Sequence, residues 1–324
     1  MNRKTIVLLA IIFVQFTAMI ACNAAARRST PTASDEIIYE QISRETKIPV
    51  NAVKMLPETD AHPPILLSDE FENPIPLPGK VNTAGAEDSP FIMPDGNTLY
   101  FFFTPDVSIP AEKQLFDGVT GIYVSNRIEG EWANPARLWL QDSGKLALDG
   151  CEFVLGDSMW FCSSREGYTG INWFTAKYQE GTWKNWSKVD FTSDFKVGEL
   201  HITSDGTELY FGSDRPGGQG KMDIWLSKKV NEEWQEPINV ASVNTPDDEG
   251  WPAISFDGEE LWFYRNYGIW RSKKQNGEWQ EAEQIVSTLA GEPSLDKDGN
   301  LYFVHYYYVD DQMIEADIYV SYRK

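Results

Sequence analysis

Residues 81–101 read VNTAGAEDSPFIMPDGNTLYF, and residues 243–263 read VNTPDDEGWPAISFDGEELWF. The two 21-residue stretches align without a gap, begin 162 residues apart and share ten identities, including an Asp-Gly pair and the closing Leu and Phe. A chain that writes one line twice is built from repeated units. Further copies lie between and beyond these two. Leu99-Tyr100-Phe101, Met159-Trp160-Phe161, Leu209-Tyr210-Phe211, Leu261-Trp262-Phe263 and Leu301-Tyr302-Phe303 recur at intervals of 60, 50, 52 and 40 residues. Asp95-Gly96, Asp205-Gly206, Asp257-Gly258 and Asp298-Gly299 precede four of them, and Gly156-Asp157 serves the second. Asp-Gly between apolar segments marks a hairpin, because its backbone reaches the positive φ of a tight turn at little cost.

A third strand is expected after each hairpin, at GIYVS (121–125), NWFTA (172–176), DIWLS (223–227), GIWRS (268–272) and DIYVS (317–321). An outer segment follows four of these, at EWANP (131–135), TWKNW (182–186), EWQEP (233–237) and EWQEA (278–282). Four short strands per unit is the pattern of a propeller blade. The fifth unit lacks its outer segment. FENPIPLPGKVNT (71–83) matches WQEPINVASVNT (234–245), so residues 71–78 are expected to supply that strand. The expected fold is all-β: a five-bladed β-propeller closed by an N-terminal strand that completes the last blade. The repeated line is then the passage from one blade's outer strand into the next blade's inner hairpin.

Composition agrees with strands. Aromatic residues make up 13% of the 324, and such side chains suit a pleated, half-buried surface. The net charge of −21 argues against nucleic acid, whose phosphates are held by Lys and Arg. The N-terminus reads as an export signal: Arg3 and Lys4, an apolar run from Thr5 to Ile20, then small residues. Met19–Cys22 (MIAC) resembles a bacterial lipobox, which makes Cys22 the lipidated first residue; cleavage after Ala24 is the alternative. The expected division is a signal peptide at 1–21, a tether at 22–60 and the propeller at 61–324. The protein is then exported, membrane-anchored through the N-terminal lipid alone at the periplasmic or cell surface, or otherwise secreted. Asp35 to Lys47 is expected to hold a short helix. In CEFVLGDSMWFC (151–162) a turn at Gly156-Asp157 sets Cys151 opposite Cys162, at a wide hydrogen-bonded pair. Whether the two are bonded is open on sequence alone.

Residues 213–263 closely resemble the WD40-like propeller repeats of TolB-type and outer-membrane-associated proteins. The matching elements are Ser-Asp-Arg (213–215) with a Gly-rich loop, Asp-Ile-Trp (223–225), Trp-x-x-Pro (234–237), Glu-x-x-Pro (249–252), Ser-x-Asp-Gly (255–258) and Leu-Trp-Phe (261–263). The resemblance covers about 87–322 and implies binding of proteins, peptides or cell-wall sugars, without selecting among them.

An acidic residue returns where each inner strand is expected to begin: Glu87, Glu152, Glu199, Glu249 and Glu292, with Asp88, Asp149 and Asp248 nearby. Inner strands line a propeller's channel, so these carboxylates should crowd one mouth and raise one another's pKa. Two readings follow. In the first, Arg165, Arg215 and Arg265, which follow three of the triplets, reach inner-strand glutamates and neutralise buried charge. The protein is then a binding or scaffold module for an envelope protein or carbohydrate, and Glu87, Glu152, Glu249, Glu292 and the three arginines are its candidate ligand-binding residues. In the second, it is a glycoside hydrolase like the arabinanase and xylosidase-like five-bladed propellers, which implies Asp88 as base, Asp149 (or Glu152) as supporting acid and Glu199 as acid. An inverting pair would stand about 6.5–9.5 Å apart. A glutamate in all five units speaks for a structural role in each repeat. No cofactor and no metal site is expected: His62, His201 and His305 are scattered, and Asp247-Asp248-Glu249 lacks EF-hand spacing. The aromatics at 304–311 and Trp251, Tyr267 and Trp270 are expected to divide between inter-sheet packing and an exposed face that could stack on a sugar or grip a peptide.

Overall fold

A computed structural model describes residues 42–189 and 197–324. The signal peptide, Cys22 and residues 22–41 of the tether lie outside the described residues. The regular structure of the described residues is nearly all strand. Two short strands come first, β1 (Ile65–Leu66) and β2 (Ile75–Pro76). A first group holds β3 (Ala86–Ile92), β4 (Thr98–Thr104) and β5 (Gly121–Ile128), with β6 (Glu131–Trp132) and β7 (Ala136–Arg137) on its edge. A second runs β8 (Ala147–Leu155), β9 (Ser158–Arg165), β10 (Asn172–Gln179) and β11 (Thr182–Val189). The third is β12 (Leu200–Ile202), β13 (Glu208–Ser213) and β14 (Asp223–Val230), edged by β15 (Glu233–Trp234) and β16 (Ile238–Asn239). The fourth is β17 (Glu249–Ile254), β18 (Glu260–Arg265) and β19 (Gly268–Gln275), edged by β20 (Glu278–Trp279) and β21 (Glu283–Ser287). The fifth is β22 (Ala290–Leu295), β23 (Leu301–Val309) and β24 (Gln312–Ser321); β24 also pairs in parallel with β3, Ala316 opposite Ala86, so the fifth and first groups form one continuous sheet.

Within each group the strands pair antiparallel in chain order. The first hairpin of four groups turns on its glycine, with Gly96, Gly206, Gly258 and Gly299 at φ between 70° and 78°. In three of them the aspartate before the glycine accepts the N–H two residues on, as Asn97 donates to Asp95 Oδ1 at 2.9 Å. The first and third residues of all five triplets are no more than 2% exposed. Four of the middle residues are buried too, so both faces of these sheets are covered. Strictly one-sided sheets would have left the middle residue wet.

The apolar clusters cross from sheet to sheet. Phe161 and Phe174 share one with Tyr100 and Phe211; Tyr210 joins Phe263, Trp262 joins Phe303, and Phe101 joins Tyr302. The innermost strands contact one another in the order β3, β8, β12, β17, β22 and back to β3. β2 pairs antiparallel with β24, Ile75 opposite Val320 and Pro76 opposite Tyr319, and Phe71 bridges to Arg323. β1 lies on β21.

Side chains within residues 44–60 reach the sheets, although most of the segment is exposed. Arg44, at the start of a four-residue 3-10 helix (Arg44–Lys47), is 3% exposed; Lys54 pairs with Glu315 and Asp317, and Asp60 meets His305 Nε2 at 2.9 Å. Cys151 and Cys162 form a disulfide, Cα–Cα 5.4 Å, but Cys162 stands opposite Gly150. A bulge between Gly150 and Phe153 displaces Cys151 from the register that counting from the turn gives.

Candidate functional site

Four of the five inner strands enter their sheets through an irregularity, and β12 pairs with β13 without one. The register slips between Asp88 and Phe91, Gly150 and Phe153, Gly250 and Ala253, and Gly291 and Ser294. Ser89, Cys151, Trp251 and Glu292 occupy the same place in these bulges, all at φ between 48° and 55°. The acidic residues therefore do not share one position. Glu87, Asp149 and Glu249 stand two residues before that place. Glu292 stands on it, Glu199 on its counterpart in the third sheet, and Glu152 one residue beyond. A bulge re-aims side chains, and here it sorts the carboxylates into two sets.

The first set is clasped by arginine. Arg265 donates to Glu249 at 2.6 Å and to the Val243 carbonyl; Arg165 donates to Asp149 at 2.7 Å and to the Leu140 carbonyl at 3.4 Å. Glu87 is met by Arg44, at 2.9 Å, which also binds the carbonyls of Lys80 and Val81. Each guanidinium thus joins a strand carboxylate to the connector that enters the same sheet. Thr83 and Thr245 complete the first and fourth clasps, donating N–H and hydroxyl to Glu87 and Glu249. The guanidinium carbons lie 4.3–5.6 Å from the centroids of aromatic rings, Arg44 over Phe103 and Arg265 over Trp270 among them. Even so, burial outweighs Arg44 at Glu87 and holds its carboxyl up at about 7. In the third sheet Arg215 donates to the exposed Glu236 at 2.5 Å.

The second set meets at a cavity of about 50 Å³ between the inner strands. Glu152, Glu199 and Glu292 line it together with Ser89, His201 and Trp251. Asp88 lies just off the wall. Glu292 accepts from the Ser89 N–H at 2.5 Å and the Tyr306 hydroxyl at 3.0 Å. Neither carboxylate oxygen of Glu152, 6% exposed, has a hydrogen-bond partner on another residue. Burial first, and then the charges of Glu292, Glu152 and Glu199, push Asp88 well above the carboxylate range. Burial also pushes Glu152 well above that range, raises Glu292 against the hydrogen bonds from Ser89 and Tyr306, and lifts Glu199 to about 8. His201, wedged 4.7 Å from the Phe153 ring, is driven down to about 3 by burial and stays neutral. The cavity can therefore share protons or neutralise a cation.

Of the residues mapped as catalytic, Glu199 and Glu152 line this cavity, Asp88 feels their charges without lining it, and Asp149 stands away from its wall. Ser163 (2.5 Å) and Arg165 occupy the Asp149 carboxylate. Asp248 accepts the Met222 N–H at 3.1 Å, away from the cavity wall. Two site residues lack a repeat signal, His201 and Tyr306, since neither belongs to a recurring motif. Trp251 contacts Tyr264, ring centroids 5.1 Å apart, and the Trp270 indole donates to the Arg265 carbonyl. Among the described residues no group of three acidic, histidine or cysteine side chains is arranged to hold a metal ion.

No protein-family model and no curated protein matches the chain in sequence. Among solved structures, a Dyadobacter fermentans protein of unknown function matches at 11% identity and TM-score 0.46, covering 79% of this chain and all of that one. The xyloglucan-locus GH43B of Bacteroides ovatus matches at 15% identity and TM-score 0.47, over 76% of this chain and 54% of that one. A proposed TolB of Agrobacterium tumefaciens matches at 13% identity and TM-score 0.38, over 75% and 92%. Overlaps this loose assign no activity to the chain.

Proposed function

We propose that the protein is an exported binding module: a five-bladed propeller of residues 61–324, closed by β2, buttressed by residues 44–60 and anchored through a lipid on Cys22. It takes a group of an envelope protein or carbohydrate at the mouth of the acidic cavity. The observation that carries this reading is the division of the carboxylates. The clasped set is engaged in holding strands to connectors, and the free set surrounds an open space of about 50 Å³ with no cation of its own among the described residues.

One observation favours the hydrolase alternative. Glu199 keeps its proton near neutral pH, as a general acid must, and Asp88 and Glu152 are beside it. Thermal-shift titration of the full chain against plant and cell-wall oligosaccharides and envelope-protein extracts tests both, because a ligand raises the melting temperature by mass action. Stabilisation without release of reducing sugar is the expected result. Sugar release that disappears in Glu199→Gln replaces the binding reading with the hydrolase. An unmoved melting temperature across every extract and oligosaccharide removes both.

A further inference from the structure

Buried carboxylates in this protein are accompanied. Among the described residues, Glu87, Asp149 and Glu249 each hold an arginine, Glu260 holds Arg271 and Arg323, and Glu315 and Asp317 share Lys54. Asp223 and Asp296 have no cation but take three N–H donors apiece. Glu152 breaks the rule, buried with both oxygens bare, and Glu199 and Glu292 stand beside it without a cation. The wall explains the shortage. Where the bulges face the cavity, Pro90, Pro252 and Pro293 supply no N–H. An uncompensated buried carboxylate is costly, and a chain that has clasped its other acids leaves this group for a partner from outside.

We infer that the cavity receives the ammonium of a lysine side chain carried by a partner protein, with Glu152, Glu199 and Glu292 as its acceptors. This rests on the binding-module reading and names its ligand class. Three features select lysine. The cavity admits the tip of an unbranched chain and not a ring. Its walls include Trp251, Phe91 and Phe153, whose rings suit the methylenes of a lysine stem and attract an organic cation. The acidic side chains surround the space without converging on a common metal-ligand point, so a rounded donor with three N–H groups fits better than a compact dication. An ammonium supplies those three donors.

The test titrates the full chain with N-acetyl-lysine methylamide, and separately with N-acetyl-norleucine methylamide, glucosamine and calcium chloride, following heat of binding and melting temperature. The expected result is saturable binding of the lysine probe alone, weakened about tenfold or more in Glu152→Gln and in Glu292→Gln. Glutamine keeps the size and shape of either side chain, so neither variant is expected to unfold, and circular dichroism checks that both remain folded. Equal binding of the norleucine probe, preference for glucosamine or calcium, or an unchanged affinity in both folded variants overturns the inference. The binding-module reading fails separately: a neutral glycan that binds while the lysine probe does not leaves that reading standing and sinks only the lysine.

Discussion

Glu199 shows how one side chain reverses an expectation when its neighbours are known. A glutamate paired with arginine stabilises the fold, and its replacement by glutamine costs stability. Glu199 has no arginine, and its carboxyl is lifted from the usual 4.5 to about 8. The folded chain therefore holds a proton that the unfolded chain has released. That contribution is complete below pH 4.5 and is lost as pH climbs through 8. Glu199→Gln, which carries no titrating proton, should flatten the fall of melting temperature between pH 5 and pH 8 and raise it by about 1–3 °C at the upper end. Thermal unfolding scans at several pH values check this, and a lower melting temperature at pH 8 in the variant would mean that a cation pairs with Glu199 after all.

At the scale of the element, the arginine clasp is the unit that turns a hairpin into part of a larger sheet. Arg265 reaches Glu249 at the head of β17 and the Val243 carbonyl in the connector before it. Arg265→Ala leaves Glu249 buried and uncompensated, at a cost of about 3–5 kcal/mol in urea unfolding. The double replacement Glu249→Gln with Arg265→Met should recover most of that loss. Failure of the double variant to recover would place the cost in packing against Phe263 and Trp270 instead of in the charge.

The hairpins were legible in the sequence because Asp-Gly and the aromatic triplets are local signals that act within a few residues. The clasp was legible only in part. Arg265 and Arg165 follow their triplets and find an acid on the adjacent strand, while Glu87 takes its arginine from 43 residues upstream, outside any repeat. The separation of clasped from free carboxylates was not legible, because a one-residue bulge decides it and the sequence does not mark a bulge. Glu152 and Asp149 are three residues apart in one strand and belong to opposite sets.

At the scale of the molecule, the N-terminal segment does more than its composition suggests. Arg44 serves the first group of strands, Lys54 and Asp60 the fifth, β1 the fourth and β2 the fifth. A chain beginning at Val81 would leave Glu87, Glu315 and Asp317 buried without a cation and bare the edges of β21 and β24. Its stability to urea should fall by more than about 5 kcal/mol, with loss of a single transition. An unchanged midpoint would show that the segment only decorates the sheets.

That same segment imposes an order on synthesis. Lys54 leaves the ribosome 261 residues before Glu315, its partner, and β2 is made long before the strand whose edge it covers. A nascent chain can collapse hairpin by hairpin, but β1 must stay unpaired until β21 has been made, and β2 until β24. Contacts of such long sequence separation form slowly and late. The final assembly step therefore waits for β24, and until that strand is made the chain remains open, able to be threaded or captured.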